Sequence, residues 1–343
     1  MVDFTSDYIA GAHPLVLQAL FQTNTVPVSG YGTDPYCEDA RARIREWCGD
    51  AGADVFFLTG GTQTNRLSIA ALLREYQGVI AADTGHIACH EAGAIESTGH
   101  KVITVPGRDG KIDIDGLRGF LRNYDSDESR EHMVFPGMVY ISHPTEYGTL
   151  YTLCELREIS QICRERRIPL YMDGARLAYG LSSTRTDVSI RDIHALCDAY
   201  YIGGTKVGAL CGEALVFPRG TAPEGLFTMI KRHGALQAKG RLLGVQFAAL
   251  FTDDLYEKIG RQADQLSLKI REAFESRGYS VWIDSPTNQQ FVVIDDTRAG
   301  VLRQRIGMSF WERIDDERCV YRLAAGWSTS DEDIIRLGNA LDM

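Results

Sequence analysis

The sequence predicts an α/β fold, a mainly parallel sheet covered by helices and followed by a smaller C-terminal α+β domain. Three observations predict it. From Asp54 to Phe217, short apolar runs of strand length alternate with longer amphipathic stretches, the pattern of strands joined by helical crossovers. Beyond Phe251 the pattern changes to one long amphipathic helix, a group of strands and a final helix from Asp331. With 343 residues, 44% of them apolar, the chain has enough material for two lobes, each with a core.

In order, Ser6 and Asp7 lie in an extended arm, and His13-Pro14 opens a short helix whose Leu15, Leu17, Leu20 and Phe21 are expected to face a core. The turn-rich loop from Val28 to Pro35 precedes a helix starting near Tyr36, with Ala40, Ile44 and Trp47 on one face. Strands are expected at 54–58, 78–82, 101–105, 138–142, 168–173, 200–202 and 213–217, with helices between most of them. A long helical region, interrupted at Gly234 and Gly240, is expected from Pro223. The second lobe holds a helix to about Arg277 and strands at 279–282, 290–294 and 319–323. The expected division is an arm and short helix over 1–30 packing with the small domain, a large domain over 31–250 and a small domain over 251–343.

Composition narrows the function. Lys and Arg total 36 against 46 Asp and Glu, a net charge of −10 with both signs interspersed, which disfavours nucleic acid and anionic membranes as partners. The eight cysteines contain no C-x-x-C pair and mostly sit in apolar surroundings, a pattern of reduced thiols. With no basic leader and no long apolar span, the chain is expected in the cytoplasm.

Four strand ends carry chemistry. The run 54–58 leads into Thr59-Gly60-Gly61-Thr62-Gln63-Thr64-Asn65 and a helix. Glycines let the backbone approach a ligand, and the first helical amides point outward with the dipole favouring an anion, so Gly61 and Thr62 can receive a phosphate. A tight strand-to-helix turn accounts for the same residues nearly as well. His86 ends a second strand, and its flat ring suits stacking on a planar ligand. His86 and His90 are four apart with Glu91 adjacent, but no H-E-x-x-H order or third ligand at a customary spacing supports zinc. The run 168–172 ends on Asp173-Gly174-Ala175-Arg176, a carboxylate and a guanidinium in the same layer. Finally Tyr200-Tyr201-Ile202-Gly203-Gly204-Thr205 delivers Lys206, an amine whose partial desolvation would lower its pKa as a Schiff-base lysine requires. Taken singly, a lysine at a strand end is more commonly a solvated side chain.

Together, Gly61-Thr62, Asp173 and Lys206 supply what pyridoxal 5′-phosphate needs: amides for the phosphate, an acid under the ring nitrogen and an amine for the aldehyde. Their order and context resemble the fold-type-I pyridoxal-phosphate enzymes, transferase-like in fold. Within them the chain is similar to the threonine aldolase and β-eliminating lyase family, over nearly its whole length. The D-G-A-R segment with the downstream lysine is the specific part. The resemblance implies that Gly61 and Thr62 hold the phosphate, His86 stacks on the ring, Asp173 pairs with its nitrogen and Lys206 carries the cofactor. It implies that Arg176 contacts the ring hydroxyl side or the substrate carboxylate, and that Arg322, assisted by Ser6, clamps that carboxylate. The implied reaction is cleavage of a threonine-like β-hydroxy-α-amino acid to glycine and an aldehyde. The alternatives are β-elimination and, in a different class, a non-catalytic cofactor- or nucleotide-binding protein.

Two departures from the family pattern leave roles open. The loop where many threonine aldolases carry a histidine reads Ser142-His143-Pro144-Thr145-Glu146, so His143, Thr145 and Glu146 all stand as candidates for the base. The arginine-bearing glycine segment that reaches a neighbouring subunit's phosphate reads Gly234 to Arg241, with Lys239 or Arg241 as substitute. The resemblance thus implies a homodimer or homotetramer with shared active sites.

Overall fold

The computed structural model describes residues 1–342. Its central sheet has seven strands in the spatial order 54–58, 213–217, 199–203, 170–173, 135–142, 77–82 and 102–105. Strand 213–217 runs antiparallel to both neighbours, and the remaining pairs are parallel. The α/β expectation is borne out. Side chains alternate across the sheet with the period of two that strand geometry dictates: Tyr200 and Ile202 enter the core on one face, Ala199 and Tyr201 the core on the other. Burial on both faces explains why these strands read as unbroken apolar runs.

Local signals set the helix boundaries. Asp34 caps the helix Pro35–Cys48 by accepting from the Cys37 amide, with Pro35 at its first position and Gly49 left-handed at its end. Thr152 and Glu155 form a capping box at the start of Leu153–Arg166.

The register brings the chemistry-bearing strand ends to one edge. Ser142 lies beside Asp173, and Glu213 is flanked by Leu58 and Gly203. Because strand 213–217 is antiparallel, its first residue meets the last residues of its neighbours, and Glu213 joins the edge where the parallel strands stop.

The C-terminal region is a four-stranded antiparallel sheet in the order 280–281, 289–295, 318–324 and 309–313, with helices Leu255–Glu275 and Asp331–Leu341. The N-terminal arm joins it: Val2–Asp3 pairs with Ile306–Gly307, and the Ala324 amide donates to the Phe4 carbonyl at 2.9 Å.

One expectation changes. In helix Pro14–Thr23 only Val16 is buried, whereas Leu15, Leu17 and Phe21 are exposed, so most of the anticipated core face points out of this chain. The helical region after Pro223 breaks at Gly234 and Gly240, as expected, into helices Leu226–Arg232 and Arg241–Leu250. Strand Ser309–Arg313 had no clear sequence signal, because Ser309-Phe310-Trp311-Glu312-Arg313 lies at the edge of the sheet and is not a buried apolar run.

Candidate active site

Two connected chambers open at the edge where the parallel strands end. The inner one, about 330 Å³, is lined by Gly61, Thr62, His86, Asp173, Arg176 and Lys206. The outer one, about 520 Å³, lies between this edge and the C-terminal sheet, where Arg322 and Trp311 form its wall. Both share Tyr8, His86, Glu146, Arg176 and Lys206.

At the inner wall, helix Gly61–Leu72 begins without a side-chain cap, since Gly60 at the cap position offers none. Its first amides therefore have no intrahelical partner. A Cβ at Gly61 would come within 3.0 Å of the Tyr201 hydroxyl, so glycine preserves the space. The turn after Asp173 packs still more tightly. A Cβ at Gly174 would lie 2.0 Å from the Tyr201 carbonyl oxygen, and one at Gly203 would lie 2.3 Å from that of Ala175. Only glycines let the Asp173 and Lys206 turns pass this closely.

Asp173 is buried and accepts four hydrogen bonds. The Tyr201 hydroxyl and the Ala175 amide donate to Oδ1 at 2.6 and 3.0 Å; the Tyr140 hydroxyl and Asn65 Nδ2 donate to Oδ2, each at 2.8 Å. Burial works against the carboxylate, but nearby His86 and the donors from Tyr201, Asn65 and Ala175 outweigh it and hold its pKa below the ordinary value. Asn65 also donates to Glu91 at 2.7 Å and accepts from the Tyr171 hydroxyl at 3.0 Å. Glu91 in turn bonds Nδ1 of His86 at 2.9 Å. Burial disfavours the His86 imidazolium, yet Glu91, Asp173 and Glu146 raise its pKa overall.

One ligand atom from each of His86, Glu91 and Asp173 falls within 4.8 Å of the others, close enough for a shared cation. The Asn65 amide already donates to both carboxylates, so a cation there would break these bonds.

Lys206 makes neither a hydrogen bond through its amine nor an ion pair among the described residues. Burial first, then Arg176, lower its pKa, opposed by Asp7, Asp173 and Glu213. Glu213 sits beneath the lysine turn, accepting from the Gly204 amide at 3.0 Å and the Thr205 hydroxyl at 2.8 Å. Burial raises its carboxyl to about 8.

Arg176 forms a two-pronged ion pair with Asp7, Nε to Oδ2 at 2.7 Å and Nη2 to Oδ1 at 3.0 Å. Arg322 donates to Gln289 at 3.4 Å and to the Thr5 carbonyl at 3.1 Å, lies 5.5 Å from the Trp311 ring centroid and leaves Nε without a partner. Burial and Arg176 lower its pKa.

The structure thus brings Gly61, Thr62, His86, Asp173, Arg176, Lys206 and Arg322 to the two chambers. Ser6 lines neither; it is buried, with its hydroxyl 3.4 Å from Asp7 Oδ1. Lys239 is exposed and also lines neither. Of the open candidates, Thr145 and Glu146 reach the inner chamber and His143 does not. The sequence reading gave no role to Asp7, Asn65, Tyr140, Tyr201 or Glu213. Asn65 carried a signal, lying one helical turn past Gly61 on the same helix, and Tyr201 carried another, two residues before Gly203 on the same strand face.

The donor set fits pyridoxal phosphate: an uncapped helix start for the phosphate, a buried ionised carboxylate for a protonated ring nitrogen, and an unpaired amine for the aldehyde. Comparison with known proteins agrees. The family model described as Beta-eliminating lyase matches residues 3–280. A low specificity L-threonine aldolase of Pseudomonas aeruginosa is 28% identical over 338 residues, covering 97% of this chain and 95% of the relative. A second, from a Pseudomonas species, is 27% identical over the same shares. The solved threonine aldolase of Leishmania major is 39% identical and superposes with a TM-score of 0.96, covering 100% of this chain and 99% of that one. The chain belongs to the β-eliminating lyase family, pyridoxal-phosphate-dependent enzymes of fold type I that include the threonine aldolases.

Proposed function

We propose that the protein cleaves the Cα–Cβ bond of β-hydroxy-α-amino acids, threonine and allo-threonine among them, to give glycine and an aldehyde. The observation that carries this reading is the pairing of the Asp173–Lys206 layer with the Arg322 guanidinium across one continuous cavity, in a chain that matches the Leishmania threonine aldolase over its full length.

When bound, the cofactor supplies the aldehyde that captures the substrate amine and the pyridinium that takes up electrons released at Cα. Gly61 and Thr62 bind its phosphate, His86 covers the ring face, and Asp173 keeps the ring nitrogen protonated. Lys206 would carry the cofactor, and its partly desolvated amine can hold a proton. Asp7 locks Arg176 toward the ring hydroxyl or the substrate carboxylate, and Arg322 orients that carboxylate from the outer chamber wall. Ser6 assists through Asp7.

The same reading divides the chain into an arm over 1–30, a large domain over 31–250 and a small domain over 251–343, supported by the pairing of Val2 with Ile306. It makes the protein a homodimer or homotetramer. The exposed Leu15, Leu17 and Phe21, and the position of Lys239 outside its own chain's chambers, support that assembly. A reducing, cytoplasmic setting is supported by eight free cysteines; among the described residues no helix is long and apolar enough to cross a membrane.

The test is product analysis of the holoenzyme with threonine, allo-threonine and serine. Glycine and acetaldehyde from either threonine isomer are expected. Pyruvate and ammonia instead would favour β-elimination, and no turnover of any amino acid would leave a binding protein.

A further inference from the structure

We infer that Glu146 is the base that takes the β-hydroxyl proton of the substrate, with Ser142 and the His86 amide as its positioning groups. The inference rests on the retro-aldol reading and assigns a role that the sequence left open among His143, Thr145 and Glu146.

His143 is wholly buried, with neither ring nitrogen hydrogen-bonded among the described residues, and its ring packs on Tyr151 at 6.4 Å. It lines neither chamber. Burial lowers its pKa to about 4, and the charges that act on it come from Asp187, Glu155 and Lys111, none of them chamber residues. The Thr145 hydroxyl is tied to Thr149 Oγ1 at 2.6 Å, and a neutral hydroxyl is a poor proton acceptor.

Glu146 differs in three ways. It lines both chambers, so it stands where the cofactor space meets the substrate space. Its Oε1 is anchored twice, by the Ser142 hydroxyl at 2.6 Å and the His86 amide at 2.9 Å. Its Oε2 takes no hydrogen bond from another residue, only its own amide acting on the carboxylate, and it is not one of the sealed, partnerless buried atoms, so it keeps access to the cavity. One oxygen fixed and the other open is the geometry of a positioned base. Burial raises the carboxyl above its ordinary pKa against the opposing pull of Ser142 and His86, which improves its match to a hydroxyl donor. The other acidic groups of the inner site are committed: Asp173 to four donors, Glu213 to the lysine turn. His86 is held by Glu91 through Nδ1.

The step balances without a co-reactant. The O–H bond breaks and the proton passes to Glu146; the C–O bond becomes C=O as the Cα–Cβ bond breaks with its electron pair left on the Cα side. The one proton lost from the hydroxyl to Glu146 is matched by the one proton that Cα takes up from the medium to complete glycine, so the overall count balances.

The test uses the holoenzyme and the variants Glu146→Gln, Glu146→Asp and Glu146→Ala. Three quantities are measured: aldehyde release from threonine, binding of threonine by calorimetry, and exchange of the glycine α-proton in D₂O, which involves no hydroxyl. Glu146→Gln keeps the Oε1 acceptor and is expected to lose about 10²–10⁴-fold in aldehyde release, with threonine affinity and glycine exchange close to wild type and Glu146→Asp recovering part of the loss. The proposal is overturned if Glu146→Gln cleaves threonine at close to the wild-type rate, or if glycine exchange falls as much as cleavage. If Glu146→Gln does not fold, Glu146→Ala cleaving as fast as Glu146→Asp overturns it equally. Failure of the underlying reading looks different: wild type then exchanges glycine but releases no aldehyde, and the proposal falls with it.

Discussion

Removing Asp7 should destabilise the protein through a residue more than 160 positions away. Asp7 is fully enclosed, and its carboxylate accepts Arg176 Nε at 2.7 Å, Arg176 Nη2 at 3.0 Å and Asn288 Nδ2 at 2.9 Å. Burial alone would raise its pKa, but Arg176, Lys206 and the hydrogen bonds lower it, so the pair is ionised in the fold. Asp7→Ala leaves a guanidinium buried without its counter-ion, which costs about 3–5 kcal/mol. At roughly 2.1 cal/mol/K per residue the unfolding entropy of a chain this long is about 0.7 kcal/mol/K, so the melting temperature should fall by about 4–7 °C. The assay is calorimetry of the apoprotein, backed by urea unfolding.

Asp7→Ala/Arg176→Met should recover most of the loss, because the damage comes from the orphaned charge rather than from the missing attraction. Since the folded pKa of Asp7 lies below its unfolded value of 3.8, the contribution is complete above that pH and is lost only as pH falls through the folded pKa. The wild-type-minus-variant difference should therefore be flat from pH 5 to 8. A fall of less than about 1 °C in Asp7→Ala, or a double variant less stable than the single, would refute the reasoning.

Three further outcomes follow from the same geometry. Tyr201→Phe removes the 2.6 Å donor to Asp173, and with one charge-assisted hydrogen bond lost it should weaken cofactor affinity about tenfold, read by titrating apoprotein with pyridoxal phosphate. Glu213 has its pKa raised from 4.5 to about 8, so between those values the folded protein holds a proton that the unfolded chain releases. Its contribution to apoprotein stability is complete below 4.5 and declines as pH rises through 8, by at most about 1.4 kcal/mol per pH unit; Glu213→Gln should flatten the slope of melting temperature against pH between 5 and 8. Trp311→Ala removes the ring 5.5 Å from the Arg322 guanidinium and should raise KM for threonine about 5–10-fold with kcat little changed; an unchanged KM would show that the contact does not hold Arg322 in place.

How much of the site was legible depended on whether its signal was local. The Gly61-Thr62 turn, Asp173 and Lys206 each end a buried strand, and a strand buried on both faces of a parallel sheet announces itself as an apolar run. Where such runs stop together, the residues that follow share an edge, and no contact map is needed to group them. Glu213 escaped notice because it starts a strand; only the reversed direction of 213–217 turns a strand start toward an edge made of strand ends. Helix Pro14–Thr23 shows the opposite failure, since its apolar spacing says that a face will be covered but not by what.

By itself the sequence determined the α/β alternation, the family and the shared strand-end layer of Gly61-Thr62, Asp173 and Lys206, because strand periodicity, glycine turns and the D-G-A-R segment are properties of neighbouring residues. Tertiary structure alone decided which charges are paired and which are free. Asp7 reaches Arg176, Asn65 joins Asp173 to Glu91, and Glu146 rather than His143 opens to the cavity. Those outcomes depend on distances between residues far apart in the chain, and on burial, which sets whether a carboxylate or an imidazole keeps its charge.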